Sequence, residues 1–188
     1  QENAKAIFQK VFTYLMLACS LVFLVFSSFI KELVLLRVGT FTILGREYLG
    51  AIDVVPMIFL AYMFYAAYLN FLIGIYVEKK TKYLPWITFA GMAANVLTNF
   101  ALIPFFGMMG SAIARVVAYI VMAVALYTVA RRLYAVDYEW GRVLKMLLIM
   151  AAFFAAVHIP VIWETPGYKA LVVLAYFPVL RLAGFFQP

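Results

Sequence analysis

The chain has 188 residues, of which 68% are hydrophobic and 12% charged, and its mean hydropathy is +1.04. Soluble domains carry about 25% charged residues, so this composition excludes a water-soluble globule and implies a chain held in a bilayer. The net charge of +7 is not a nucleic-acid signal, because basic residues of membrane proteins collect in loops on the cytoplasmic side. The single cysteine, Cys19, excludes an intrachain disulfide and suits small-residue packing.

The apolar runs predict an all-α membrane protein with about six transmembrane helices. No ten-residue alternating pattern of a barrel strand occurs. The chain opens on "QENAKAIFQK", without Met and without a signal peptide. That is the expected look of a segment cut from a longer protein inside a cytoplasmic loop. The first crossing is expected over 7–29, with an amphipathic extension through "IKELVLLR". The second is expected over 51–76, the third over 83–103, the fourth over 108–130 and the fifth over 141–163. The sixth, over 168–186, is interrupted by Pro178 and Arg181. "EKKTKYLP" reads as a tight turn, with Pro85 in the first turn of the third helix, where its missing N–H is not needed. No Gly/Ser linker or short-period repeat appears, so a single membrane domain is expected over 1–188, with 141–188 as its last two helices.

Charge gives an expected orientation. With six crossings, the N-terminus, the turns after the second and fourth helices and the C-terminus share one side. That side holds Lys5, Lys10, Lys79, Lys80, Lys82, Arg131, Arg132, Arg142, Lys145 and Arg181, ten of the fifteen basic residues. The positive-inside rule makes it cytoplasmic. Trp86, Trp140 and Trp163 fall at expected helix ends, as an aromatic belt requires.

The longest uncharged run lies between Lys82 and Arg115 and contains "NFALIPFFGMMGSAIAR". It reads as an outward hairpin: Pro104 ends the third helix, Gly107 permits the turn, and Gly110 starts a close-packed face. Gly110, Ala114 and Ala118 are spaced as small-xxx-small pairs, which let helix backbones approach in lipid. About four to six residues are expected between the two helices. Gly91, Asn95 and Asn99 recur every four residues and share one face. An amide facing lipid would leave donors unpaired at several kcal/mol, so this face meets either another helix or a polar cavity. Arg115 lies about two turns into the fourth helix, where it either snorkels outward or faces a polar cavity suited to phosphate. Tyr62, Tyr65, Tyr68 and Asn70 on the second helix read either as packing and interface belt or as a cavity wall on which sugars stack. His158 is expected as a local hydrogen-bond partner. Asp137 and Glu139, among Arg131, Arg132 and Arg142, read as a salt-laced loop.

The chain carries no H-E-x-x-H, no phosphate-binding Gly-rich loop and no Cys cluster. No enzyme activity, metal or cofactor is therefore expected.

The ordered set "EYLGA", "KKTKYLP", an Asn-bearing helix ending in "LIP", then "FGMMGSAIA" resembles the C-terminal part of polysaccharide (O-antigen-type) flippases. These belong to the multidrug/oligosaccharidyl-lipid/polysaccharide exporter superfamily. The resemblance covers about residues 46–125. It implies helices nine to fourteen of a 12–14-helix, two-lobed transporter, with a missing N-terminal lobe of the same protein as partner. The implied activity is the flipping of undecaprenyl-linked oligosaccharide across the inner membrane by alternating access. Arg115 departs from the family pattern, which has a small or hydroxyl residue there. Tyr65, Asn70, Asn95, Asn99 and Arg115 are the expected cavity residues. The other readings are a cation-coupled multidrug exporter of the same fold, a membrane enzyme using His158 and Glu164, and a non-transporting assembly protein.

Overall fold

The computed structural model describes residues 2–38, 41–42 and 46–185. Among the described residues seven α-helices follow one another: α1 (Glu2–Leu35), α2 (Val55–Val77), α3 (Leu84–Phe106), α4 (Met108–Leu133), α5 (Trp140–Val157), α6 (Pro160–Trp163) and α7 (Pro166–Leu182). Five stretches among the described residues are long and apolar enough to cross a membrane: Asn3–Leu35, Gly50–Val77, Thr81–Phe106, Met108–Leu133 and Trp140–Val157. The protein is an all-α membrane protein in this sense. The sixth expected crossing is not among these five: α7 stands in its place, but its 17 residues cover about 25 Å at 1.5 Å per residue, short of a ~30 Å hydrocarbon core. Pro178 sits inside α7 without ending it. The end expected at residue 186 lies outside the described residues.

The chain divides into two compact units, Gln1–Met16 with Met57–Tyr138, and Leu17–Pro56 with Glu139–Pro188. In the first unit, α2 and α4 run side by side and parallel. Tyr65 meets Tyr119 at 4.9 Å between ring centroids, Phe71 meets Tyr127 at 5.2 Å, and Gly74 lies against Ala130. Phe12 of α1 joins this seam, 5.3 Å from Phe71 and 4.7 Å from Tyr138. Burial, reinforced by the Tyr127 phenol, pushes the Tyr138 phenol up to about 12. It therefore stays neutral at physiological pH and works as an aromatic wedge.

In the second unit α1 and α7 run antiparallel. The Ser20 and Tyr176 hydroxyls share a hydrogen bond of 2.9 Å, and further along Lys169 reaches Glu32. Phe23 and Tyr176 also pack on neighbouring rings of α5, Phe154 at 5.1 Å and Phe153 at 5.5 Å. Between α1 and α2, residues Arg37–Val38 (β1) and Phe41–Thr42 (β2) form a two-residue antiparallel ladder, Arg37 opposite Thr42 and Val38 opposite Phe41. Nothing in the sequence pattern announced this ladder. A 3-10 helix over Arg46–Val54 then leads into α2. The α geometry starts at Val55, beside Pro56, rather than at residue 51, because a proline's fixed φ favours the first helical turn.

Prolines move two other boundaries. Pro104 does not end α3: the helix continues to Phe106, and the Gly107 N–H donates to the Ile103 carbonyl at 2.9 Å. A proline in the final turn of a membrane helix removes one backbone bond, and local adjustment absorbs the loss. Gly107 makes the turn alone, with φ 53° and ψ −126°, a backbone region open essentially to glycine. The α3–α4 connection is thus one residue, not the four to six expected. The fifth crossing is shorter than expected for the opposite reason. Pro160 pushes Ile159 to an extended backbone (φ −64°, ψ 129°), so α5 stops at Val157 and α6 restarts the chain.

The α3–α4 pair is held close by glycines. Gly91 faces Met122 and the Ala118 carbonyl, while Gly110 faces the Leu102 carbonyl, which fixes an antiparallel pair. A Cβ on Gly110 would fall 2.6 Å from the Leu102 carbonyl oxygen. Ala114 and Ala118 continue the same buried face.

At the far end, α2 closes in a Schellman motif. The Lys80 N–H donates to the Ile75 carbonyl at 3.0 Å and the Lys79 N–H to the Tyr76 carbonyl at 3.1 Å. Lys79 occupies the left-handed position, with φ 53°, where glycine avoids a Cβ penalty of roughly 1 kcal/mol.

Replacing Gly110 with Ala should lower stability by about 1–3 kcal/mol through overpacking against backbone, whereas Ser111→Ala on the open side should change little. Thermal unfolding of both variants in the same detergent checks this, and equal midpoints for G110A and the parent chain would remove the close-approach argument.

Candidate functional site

The polar residues of α3 and α4 converge on one groove of about 350 Å³ within the first unit. Its lining includes Thr88, Asn95 and Asn99 from α3, and Ser111, Arg115 and Tyr119 from α4. The placement follows from helical spacing. Gly91, Asn95 and Asn99 form one stripe on α3, and Ser111, Arg115 and Tyr119 form a matching stripe on α4, each repeating every four residues. The glycines at either end draw the helices together, and the longer polar side chains between them leave the groove.

Within the groove the Asn99 amide donates to the Asn95 side-chain oxygen at 3.0 Å. The two amides are therefore joined to each other along α3 rather than across to α4. The Asn99 side-chain oxygen is itself buried and has no hydrogen-bond partner, so the groove presents an unmet acceptor beside its donors. Arg115 is exposed and has no carboxylate partner among the described residues. None of the lining residues is acidic. An unpaired guanidinium with amides and a hydroxyl around it can hold an anion through charge-assisted hydrogen bonds.

A second, apolar groove of about 500 Å³ adjoins the first. Val96, Phe100, Ile103 and Pro104 line it, and it shares Asn99 and Ser111 with the polar groove. Leu97 and Phe100 on the outer face of α3 are 69% and 79% exposed, so nothing described in the first unit covers that face.

Of the residues expected at a cavity from the sequence, Asn95, Asn99 and Arg115 come together. Tyr65 stands one layer back: it packs at 4.9 Å on Tyr119, which lines the groove, and stacks on Tyr68 at 5.8 Å. Asn70 does not line the groove; it is buried elsewhere on α2, its side-chain oxygen without a partner. The hairpin residues Pro104, Gly107 and Gly110 frame the pair, with Pro104 lining the apolar groove. Thr88, Ser111 and Tyr119 were missed. The signal for two of them was legible, since Ser111 and Tyr119 lie four residues before and after Arg115.

The second unit holds a charge pair that the sequence did not announce. Lys169 is fully buried; its ammonium donates to Glu32 at 2.8 Å and lies 4.1 Å from the centre of the Trp163 ring. The other Glu32 oxygen is buried without a partner. His158 stacks on the same Trp163 at 4.9 Å, and its Nδ1 contacts the Phe154 carbonyl at 2.8 Å. Glu32 and Lys169 are 137 residues apart, so no local pattern could join them. Among the described residues no group of three His, Cys, Asp or Glu could hold a metal ion.

Removing Glu32 strands a buried ammonium. Glu32→Gln should destabilise the chain by about 3 kcal/mol, and adding Lys169→Met should recover most of the loss, because a buried pair is replaceable by apolar packing but not by half of itself. A double-mutant cycle of unfolding midpoints reads this directly; strictly additive losses would show that the pair does not couple.

Compared with family profiles, curated proteins and solved structures, the chain matches none.

Proposed function

We propose that the chain is part of a membrane transporter that flips undecaprenyl-pyrophosphate-linked oligosaccharide across the bacterial or archaeal inner membrane by alternating access, for surface polysaccharide biosynthesis. One observation carries this reading: the convergence of Asn95, Asn99 and Arg115 on a groove without carboxylates, next to an apolar groove that shares Asn99 and Ser111. The guanidinium and amides suit the pyrophosphate and the first sugar hydroxyls. The order of "EYLGA", "KKTKYLP", "LIP" and "FGMMGSAIA" along the chain supports the same reading by resemblance. A cation-coupled drug exporter would want a carboxylate facing its cavity, and this groove offers none.

In this reading the basic ends of the helices lie in the cytoplasm, as the ten-to-five charge split favours. The groove then opens toward a central cavity completed by the other lobe of the same protein. No nucleotide or metal takes part, and the chemistry is binding and release rather than bond making.

Arg115→Leu in the intact protein should cut export of lipid-linked glycan about tenfold or more, given roughly 1.5–3 kcal/mol for a hydrogen bond to a charged group. Arg115→Lys should retain part of it, since an ammonium keeps the charge but loses the fork. Surface glycan and the lipid-linked intermediate at the inner face are measured together, with membrane levels of each variant matched. Normal export from R115L and Asn95→Leu would defeat the proposal.

A further inference from the structure

At one end of the first unit, five exposed basic side chains and a sixth, half-buried one gather, and they outnumber the two exposed carboxylates of the same segments, Glu78 and Asp137, by six to two. Lys79, Lys80 and Lys82 occupy the turn between α2 and α3, and Arg131 and Arg132 end α4. The two groups belong to one patch because the last turns of α2 and α4 touch. A Cβ on Gly74 would meet Ala130 at 3.4 Å and Tyr134 at 3.5 Å, and Gly74, Arg131 and Tyr134 line the same small cavity. Lys5 joins from α1, its ammonium 5.0 Å above the Tyr134 ring. None of the six makes an ion pair among the described residues.

Such crowding of like charge is unfavourable unless something negative neutralises it. The backbone shows the same preference for charge over stability. Lys79 stands in the left-handed position of the α2 cap, where glycine would be relaxed. Beside the patch, Trp86 is 75% exposed, and Lys82 lies 5.4 Å from the Tyr83 ring. Aromatic side chains at a helix end mark the headgroup level of a bilayer. A negative partner at that level is a lipid headgroup.

We infer that Lys79, Lys80, Lys82, Arg131 and Arg132 form a binding surface for anionic phospholipid headgroups, with Lys5 at its rim. The patch engages phosphates of the leaflet next to it, and the aromatic residues below set its depth. Lys79 holds its strained position because the turn then projects three cations within four residues. The surface is independent of what the α3/α4 groove carries.

The test uses the whole 188-residue chain, purified in neutral detergent and titrated separately with phosphatidylglycerol, phosphatidylcholine and inorganic phosphate. Lipids retained on the protein are counted by native mass spectrometry. Phosphatidylglycerol should be retained well above phosphatidylcholine, and millimolar inorganic phosphate should not displace it. Each neutralised cation, Lys80→Gln, Lys82→Gln, Arg131→Gln or Arg132→Gln, should weaken that retention about fivefold. Lys79→Gly separates binding from folding: it should raise the unfolding midpoint by about 2–4 °C while weakening phosphatidylglycerol retention by the same factor. Equal retention of the two lipids overturns the proposal. So does an unchanged preference in the variant with all four Gln substitutions, and displacement by phosphate would make the patch a free-anion site instead.

Discussion

The close approach of α3 and α4 around Gly107 and Gly110 is the constraint on which the candidate site depends. In hydrocarbon, apolar side chains gain little by leaving lipid for protein, so helices associate through backbone proximity and polar contacts. Gly110 brings the Leu102 backbone within reach, and Gly91 does the same opposite Met122 and Ala118. The one-residue turn at Gly107 keeps the two helices in fixed register. Between these contacts the Asn and Arg side chains are too large to be enclosed, and the groove is what remains.

That arrangement explains a division of labour along α3. The face toward α4 is polar and close-packed, with Gly91 buried and Asn95 bonded to Asn99. The opposite face is apolar and open, from Trp86 through Leu97 to Phe105. A membrane helix tolerates this because lipid solvates the apolar face as well as protein would. Its amides, by contrast, need partners on the inner face. The unmatched oxygen of Asn99 and the Arg115 side chain, without an ion pair among the described residues, are where that requirement is left open.

The second unit solves a different electrostatic problem. A lysine without solvent is tolerable only when its charge is met, and Lys169 is met twice, by a carboxylate and by an aromatic face. Together with the Ser20–Tyr176 hydrogen bond, this sets how α1 and α7 register against each other. The basic patch of the first unit is the reverse case, with charges on the surface and no ion pair among the described residues. Burial separates the two: exposed cations keep their hydration, whereas the enclosed Lys169 must bring its own counterion.

The sequence by itself determined the class of the molecule, the rough extent of five of the six expected crossings, the Gly107 turn and the close-packed Gly110 face. These are legible because they depend on local composition and on the 3.6-residue period. The stripe of Gly91, Asn95 and Asn99 was legible for the same reason, and the parallel stripe through Ser111, Arg115 and Tyr119 could have been. Helix ends were less so. Whether a proline stops a helix depends on where in the turn it falls, which is why α3 runs past Pro104 while α5 ends before Pro160. The tertiary structure alone decided which stripes face each other, that Tyr65 stands behind Tyr119 while Asn70 lies elsewhere, and that Glu32 closes on Lys169 across 137 residues. Such pairings are set by packing between distant segments, and a period read along one helix carries no information about its partner.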